Sequence, residues 1–248
     1  MPFNVGGYIY ESGMATNQVT DKVVSNGLRL HVDAGNTTSY IGSGTSLVDL
    51  SGYQINGTLT NGPTFNSSNS GSLVFDGSDD YVGFGSTLDF ADSSFINGFS
   101  VDTWVYPTAT PSGVAAIFSS AYGTSGTQWQ IYVWYSSANK FGTTQRYGGN
   151  QNDFSTSQSF GLNSWYHFVV TSNHSVCTIY VNGIFAASNS TGRPDNQPAD
   201  REVRIGGFKG YAGANFNGRI ANTKIYNKQL TSGEIRQNYF IEKGRFGL

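Results

Sequence analysis

Apolar and polar residues alternate with a period of two along much of the chain. Leu28, Leu30 and Val32 interleave with Arg29 and His31, the pattern of a strand with one buried face. Over residues 99–106, Phe99, Val101, Thr103 and Val105 share one face, and Ser100, Asp102, Trp104 and Tyr106 share the other. The same reasoning predicts strands over residues 72–75, 81–84, 115–119, 128–135, 165–171, 177–181, 184–187, 203–206 and 218–226. Gly, Asn and Ser fill the turns between them, and Asn182-Gly183 is a strong hairpin signal. One helix is predicted over residues 232–240, because Thr231 and Glu234 form the two ends of a capping box. Many short strands with a single short helix predict an all-β sandwich or barrel with antiparallel pairing.

Residues 1–26 have weak periodicity and read as an N-terminal arm, with an edge strand near residues 7–11 as the alternative. Residues 27–240 read as one domain. Residues 241–248 form a tail too short to fold alone, so its Phe246 and Leu248 need a surface on this domain or on a partner. The polar stretch 62–72 reads as a loop between strands. Composition narrows the class further. With 17 Phe, 15 Tyr and 4 Trp the chain can fill a core, which argues against disorder, and its 32 glycines argue against a helical bundle. A net charge of −2 argues against a nucleic-acid partner. No apolar run approaches the ~18 residues of a membrane span, and the first ten residues lack the marks of a signal peptide. The single Cys177 cannot form an intrachain disulfide and reads as a small buried strand residue.

Several short motifs recur in a familiar order. They are Asp49-Leu-Ser-Gly52 with Asn56-Gly-Thr58, then Phe75-Asp-Gly-Ser-Asp-Asp-Tyr-Val82, then Phe99-Ser-Val-Asp-Thr-Trp104. Trp165-Tyr-His167 follows with Ile179-Tyr-Val-Asn-Gly183, and then Phe216-Asn-Gly-Arg-Ile220 with Ile225-Tyr-Asn227, Leu230 and Glu234-Ile235. The ordered set resembles the laminin G-like branch of the concanavalin A-like lectin/glucanase superfamily. The resemblance implies a jelly-roll sandwich of two antiparallel sheets but no particular activity, since that fold hosts lectins, glycanases, adhesion modules and structural parts. Gly35-Asn36, Leu59-Thr-Asn-Gly-Pro-Thr-Phe65 and Gly244-Arg-Phe-Gly-Leu248 resemble laminin G-like proteins of tailed-phage particles, especially those of marine bacteria and cyanobacteria. That second resemblance implies a virion-surface protein assembled in bacterial cytoplasm, present in several copies and held to other virion proteins by its arm and tail.

The chemistry legible in the chain is sparse. A retaining glycanase needs two carboxylates about 5–5.5 Å apart, and on a strand only alternate residues share a face. Glu11, Glu202, Glu234 and Glu242 form no such pattern and Asp102 stands alone in its strand, so no enzyme is expected. His31, His167 and His174 form no metal-binding pair, and His167 reads as a packed core residue. Asp76, Asp79 and Asp80, with Asp49 from its own loop, offer the oxygen ligands that calcium requires, in a loop-stiffening role. The plainer reading is that these short acids cap turns. Some members of the resembled family hold calcium at a loop rim.

Sugar binding needs an exposed ring flanked by planar polar groups. The candidates are Trp129, Trp134 and Tyr135, Tyr122 on a glycine-flanked loop, and Tyr147 beside Arg146, Asn150 and Gln151 in the polar stretch 146–153. Trp129 and Trp134 have opposite parity and so face opposite ways. Trp104 and Trp165 read as core anchors, and the charged stretch 195–202 reads as a solvated loop. The expected function is a non-enzymatic virion-surface component (capsid decoration, fibre or appendage). The alternative is a carbohydrate-binding adhesin for a cell-surface polysaccharide, and the third reading is a glycan-cleaving enzyme.

Overall fold

A computed structural model describes residues 22–121, 129–194, 201–209 and 213–248, together with the strands Asn4–Val5 and Tyr8–Ile9, which pair with each other. The rest of the N-terminal arm, Tyr122, the Trp129 side chain and residues 195–200 lie outside the described residues.

Two antiparallel sheets pack face to face. The first runs, edge to edge, through Asn150–Ser155, Phe141–Tyr147, Trp129–Ser136, Val114–Ala121, Glu202–Ile205, Tyr81–Gly83, Gly57–Thr60 and Ser46–Leu47. The second runs through Ile184–Ser190, Val176–Val181, Tyr166–Ser172, Phe99–Pro107, Asn217–Tyr226, Ser72–Asp76 and Thr64–Asn66. Leu28–Asp33 joins this second sheet by pairing with the distal half of Asn217–Tyr226. Phe99, Val101 and Val105 meet Phe118, Ile131 and Val133 in the shared core, so the period-two pattern was read in the correct phase. Cys177 lies in this core at 1% exposure, and burial pushes its thiol up to about 12.

The strands Phe141–Tyr147 and Asn150–Ser155 form a hairpin where no strand was predicted from sequence. Their buried positions include Thr143, Thr144 and Gln145, so the apolar alternation that betrays a strand is missing. The buried amide of Gln145 is instead satisfied by its donation to the Gly192 carbonyl and by the hydroxyl of Thr191, which donates to it. A short strand, Thr64–Asn66, likewise interrupts the stretch expected to be a loop.

The helix Ser232–Glu242 begins at the expected capping box, with Thr231 Oγ1 accepting from the Glu234 N–H and the Glu234 carboxylate accepting from the Thr231 N–H. It lies on the outer face of the second sheet, and a buried charge cluster fixes it there. Lys224 is fully buried, with Nζ 2.8 Å from Glu242 Oε1 and 3.5 Å from Asp102 Oδ1. Asp102 Oδ2 accepts from Asn238 Nδ2 on the helix, and the Trp104 indole N–H donates to Glu242 at 2.7 Å. Burial alone would raise the Asp102 carboxyl, but Lys224 and His167 hold it below the usual carboxylate range. Burial likewise opposes charge on Lys224, and Glu242 and Asp102 keep its pKa above the ordinary value.

The division into arm, domain and tail changes at both ends. Val24 is buried under the helix, its N–H donating to Asn238 Oδ1 and its carbonyl accepting from the Tyr226 hydroxyl, so residues 22–26 are part of the domain. The tail continues the helix as a 3-10 turn, Lys243–Phe246, and docks on its own domain rather than projecting from it. Phe246 stacks on Trp104 with ring centroids 4.1 Å apart and packs against Trp165. Arg245 Nη1 donates to both carboxylate oxygens of Asp33, and Nε and Nη2 donate to the carbonyls of Asn69 and Gly71. Position 35 must be glycine for this, because a Cβ there would fall 2.2 Å from the Arg245 guanidinium. Replacing Phe246 by Ala should therefore lower the stability of the isolated chain by about 3 kcal/mol in chemical denaturation. An unchanged midpoint would mean that the tail is not part of the folded unit.

Candidate functional site

The sheets position the predicted sugar-binding residues on two different faces. Register sets Asp153, Thr144, Tyr132, Ser119 and Arg204 in one row on the outer face of the first sheet. Trp134, Arg146 and Gln151 share that face, whereas Tyr147 and Asn150 point the other way. They do not form one cluster. Trp134 is also not an open platform: it is only 9% exposed, it lies across Gly142, where a Cβ would come within 2.2 Å of the ring, and its N–H donates to Thr144 Oγ1. The middle of this face is covered by residues from 206–209 and 213–216. Phe208 packs on Tyr132 with centroids 4.9 Å apart, and the Ala116 N–H donates to the Ala214 carbonyl. Tyr135 faces the inter-sheet core, where burial pushes its phenol up to about 12. Tyr147 packs over Gly192. Exposed Gln151 donates to Asp153 at 2.5 Å, and exposed Asn150 donates to the Gly148 carbonyl within its own turn.

Of the four acidic candidates, the fold brings three together. Asp76, Asp79 and Asp80 each place a carboxylate oxygen within 4.8 Å of the others in the turn between Ser72–Asp76 and Tyr81–Gly83. Asp76 Oδ1 accepts from the Ser78 N–H and Asp80 Oδ2 from the Asp76 N–H, so the turn-capping role is present as well. Burial, then repulsion from Asp76 and Asp79, raises the Asp80 carboxyl, although the Asp76 N–H opposes this. Asp49 lies elsewhere and has a different task. Its two oxygens accept from the N–H groups of His31, Ser51 and Ile55 and from the Ser51 hydroxyl. A carboxylate bonded four times to its own loop is a loop organiser, which corrects its assignment as a metal ligand.

The loop that Asp49 organises carries Tyr53 to one end of the sandwich, where the ring is 54% exposed. There an open groove of about 400 Å³ is lined by Arg29, Tyr53, Asp89, Asp92, Ser94 and Arg201, over a floor formed by Leu88 and Phe95. The Arg29 guanidinium lies 4.7 Å from the Tyr53 ring centroid, and Arg201 pairs with Asp89 at 3.1 Å. The opposite wall is rigid. Phe90 is fully buried against Phe95, Phe99 and Phe118, Asp92 caps the short helix Ser93–Phe95, and Gln130 donates to Asp89 from below. The groove falls within the volume range of small-ligand sites, roughly 300–1,000 Å³, and combines an exposed ring with planar charged groups. None of its residues was singled out in sequence. Arg29 reads as the polar side of a strand, and the only available signal was the exposed aromatic after the D-x-S-G turn.

Buried acids and bases elsewhere do not face solvent. His167 Nε2 lies 3.1 Å from Asp102 Oδ1, but both side chains are fully buried under the helix. His31 is held neutral, its pKa lowered to about 4 by burial and by Lys224. On the outer face of the first sheet the acids placed by register are Asp153 and Glu202. They are four strands apart, about 19 Å at the usual strand spacing. Glu202 is already paired with Arg204 at 2.7 Å.

A laminin G-like family profile, described as the concanavalin A-like lectin/glucanases superfamily, matches residues 76–236. No curated protein matches the sequence. Among solved structures, the chain is similar to Trypanosoma rangeli sialidase in complex with sialic acid, with a TM-score of 0.66 and 19% identity over 88% of this chain and 33% of that one. It thus spans a third of the sialidase's length. Domain 4 of AbnA, a GH43 extracellular arabinanase from Geobacillus stearothermophilus solved with arabinotriose, aligns with a TM-score of 0.66 at 16% identity, covering 86% of this chain and 98% of that domain. The binding domain of Paraclostridial Mosquitocidal Protein 1 aligns at 0.62 with 15% identity, over 87% of this chain and 52% of that one. At these identities the structural likeness establishes the fold alone.

Proposed function

Because the chain belongs to the concanavalin A-like lectin/glucanases superfamily, we propose that it is a carbohydrate-binding module without catalytic activity, and that it recognises a polysaccharide. The observation that carries this reading is the end groove, where the exposed Tyr53 ring stands among Arg29, Asp89, Asp92 and Arg201. A pyranose presents an apolar face that packs on an aromatic ring, and its hydroxyls pair with planar polar groups. The AbnA domain bound to arabinotriose supports the same class of ligand. The non-catalytic part of the reading rests on the positions of the acids. Asp102 and Glu242 are spent on Lys224, and Asp153 and Glu202 are far beyond the separation of about 5–9.5 Å that glycoside hydrolysis uses.

Calcium is part of the proposal as a loop-stiffening ion. Oxygens that share a calcium ion at about 2.4 Å lie no more than about 4.8 Å apart, and the Asp76, Asp79 and Asp80 oxygens all lie within 4.8 Å of one another. These three residues would hold the ion, with water completing the shell.

A narrower proposal puts the module on a phage virion surface, in several copies beside other virion proteins, assembled in the bacterial cytoplasm. Its support is the resemblance of residues 35–36, 59–65 and 244–248 to phage proteins. Arg245 of that set is engaged within the chain, so contacts with neighbours would fall to other surfaces. Recovery of the chain in purified particles is the observation that would carry this placement.

Isothermal titration against a panel of neutral and acidic polysaccharides should give saturable binding that Tyr53→Ala weakens at least tenfold. Absence of binding across the panel, or affinity unaffected by Tyr53→Ala, would contradict the reading. In differential scanning calorimetry, millimolar calcium should raise the melting temperature of the wild type and leave that of Asp79→Asn unchanged. An unchanged wild-type melting temperature removes the metal.

A further inference from the structure

The charges around the groove balance in number, two arginines against two aspartates, but they are not engaged alike. Each carboxylate has its own partners. Asp89 is held by Arg201 at 3.1 Å, by Gln130 at 2.8 Å and by the Ala91 N–H. Asp92 accepts from the Ser94 N–H at 2.7 Å, and the Arg193 guanidinium beside it donates to the carbonyls of Ala91 and Asp92. Arg201 is engaged in turn with Asp89 and with the carbonyls of Leu88 and Ser86.

Arg29 differs from these. Among the described residues its guanidinium makes no ion pair and no hydrogen bond, and it lies over the Tyr53 ring, 4.7 Å from the centroid. The backbone explains how it comes to sit there. Leu28 pairs with Tyr226 and Leu30 with Ile225, so Arg29 is the extra residue at a register shift in Leu28–Asp33. A bulge of this kind turns a side chain away from the regular alternation of the strand. Arg29 thereby reaches the groove, where it lies alongside Tyr53 instead of pairing with the acids of the wall. A guanidinium carries five N–H donors in a planar fork that matches an oxyanion two bonds at a time. Laid on an aromatic ring, the fork is held flat by that contact while its donor edge stays available.

We infer that the groove selects an acidic glycan, with a uronate carboxylate or a sulphate ester bound by Arg29 while the sugar ring packs against Tyr53. This inference rests on the carbohydrate-binding reading and gives it a substrate class. It explains why a guanidinium with no acidic partner among the described residues is kept at the groove, where Arg201 is paired with Asp89 and Asp92 caps its own turn.

Three tetrasaccharides on one backbone test the inference: tetragalacturonate, its carboxyl-reduced neutral counterpart, and a sulphated form of that neutral counterpart. By isothermal titration at about 50 mM salt, at least one anionic form should bind the wild type tenfold or more tightly than the neutral form. Preference for the uronate alone identifies a carboxylate ligand, and preference for the sulphated form alone identifies an ester. Arg29→Gln should bring the anionic-to-neutral ratio close to one, whereas Arg236→Gln on the C-terminal helix should keep it. The wild type supplies an independent readout, since raising salt to about 500 mM should cut the anionic affinity several-fold and barely change the neutral one. Equal affinity for all three forms, or a preference that survives Arg29→Gln, overturns the inference and leaves the carbohydrate-binding reading standing. Failure of all three together with failure of the polysaccharide panel removes both.

Discussion

Lys224 is a fully buried cation on the outer face of a sheet, and the fold around it is arranged to keep it paired. An unpaired ammonium in that position would cost several kcal/mol, far more than a surface pair returns. Its partners come from two places: Asp102 two strand residues from Trp104, and Glu242 at the end of the C-terminal helix. Asp102 is set beside Lys224 by the sheet register, whereas Glu242 reaches it only when the helix lies against the sheet. Asn238, Tyr226 and Val24 then tie the start of the domain to the same helix, and Phe246 closes over Trp104. The helix is therefore a third layer over the second sheet. Across the sandwich, Phe208 and Ala214 cover the middle of the outer face of the first sheet. With the middle of both broad faces occupied, an open groove lies at an end of the sandwich, at Arg29 and Tyr53.

The same constraint explains what the sequence could and could not disclose. Strands whose inward positions are Val, Ile and Phe announced themselves by alternation, and the correct face of residues 99–106 followed from it. The Thr231–Glu234 capping box announced the helix, because its signal lies within four consecutive residues. Strands whose buried side is Thr and Gln did not, since hydrogen bonds rather than apolar area hold them, and the hairpin 141–155 was therefore not predicted. The Asp102–Lys224–Glu242 cluster joins residues more than a hundred positions apart, and no local pattern marks it.

The site was harder to read than the fold for a related reason. Aromatic residues in strands were natural candidates for a sugar platform, but a Trp with a glycine opposite is an invitation to pack, and Trp134 takes it. Tyr53 looks unremarkable in sequence because the Asp49 loop, not a strand, presents it. Arg29 sits in a regular alternating strand, and only a register shift brings it to the groove. Asp76, Asp79 and Asp80 were legible as a cluster because they are neighbours in sequence, whereas Asp49 had been grouped with them by residue type alone.

The central claim is that the covered faces leave ligand recognition to the end of the sandwich. Amide chemical-shift mapping with a saturating oligosaccharide tests it most directly. The account predicts shifts concentrated at Arg29, Tyr53, residues 87–94 and Arg201. Shifts centred on Trp134, Arg146 and Gln151, with the groove unmoved, would contradict it.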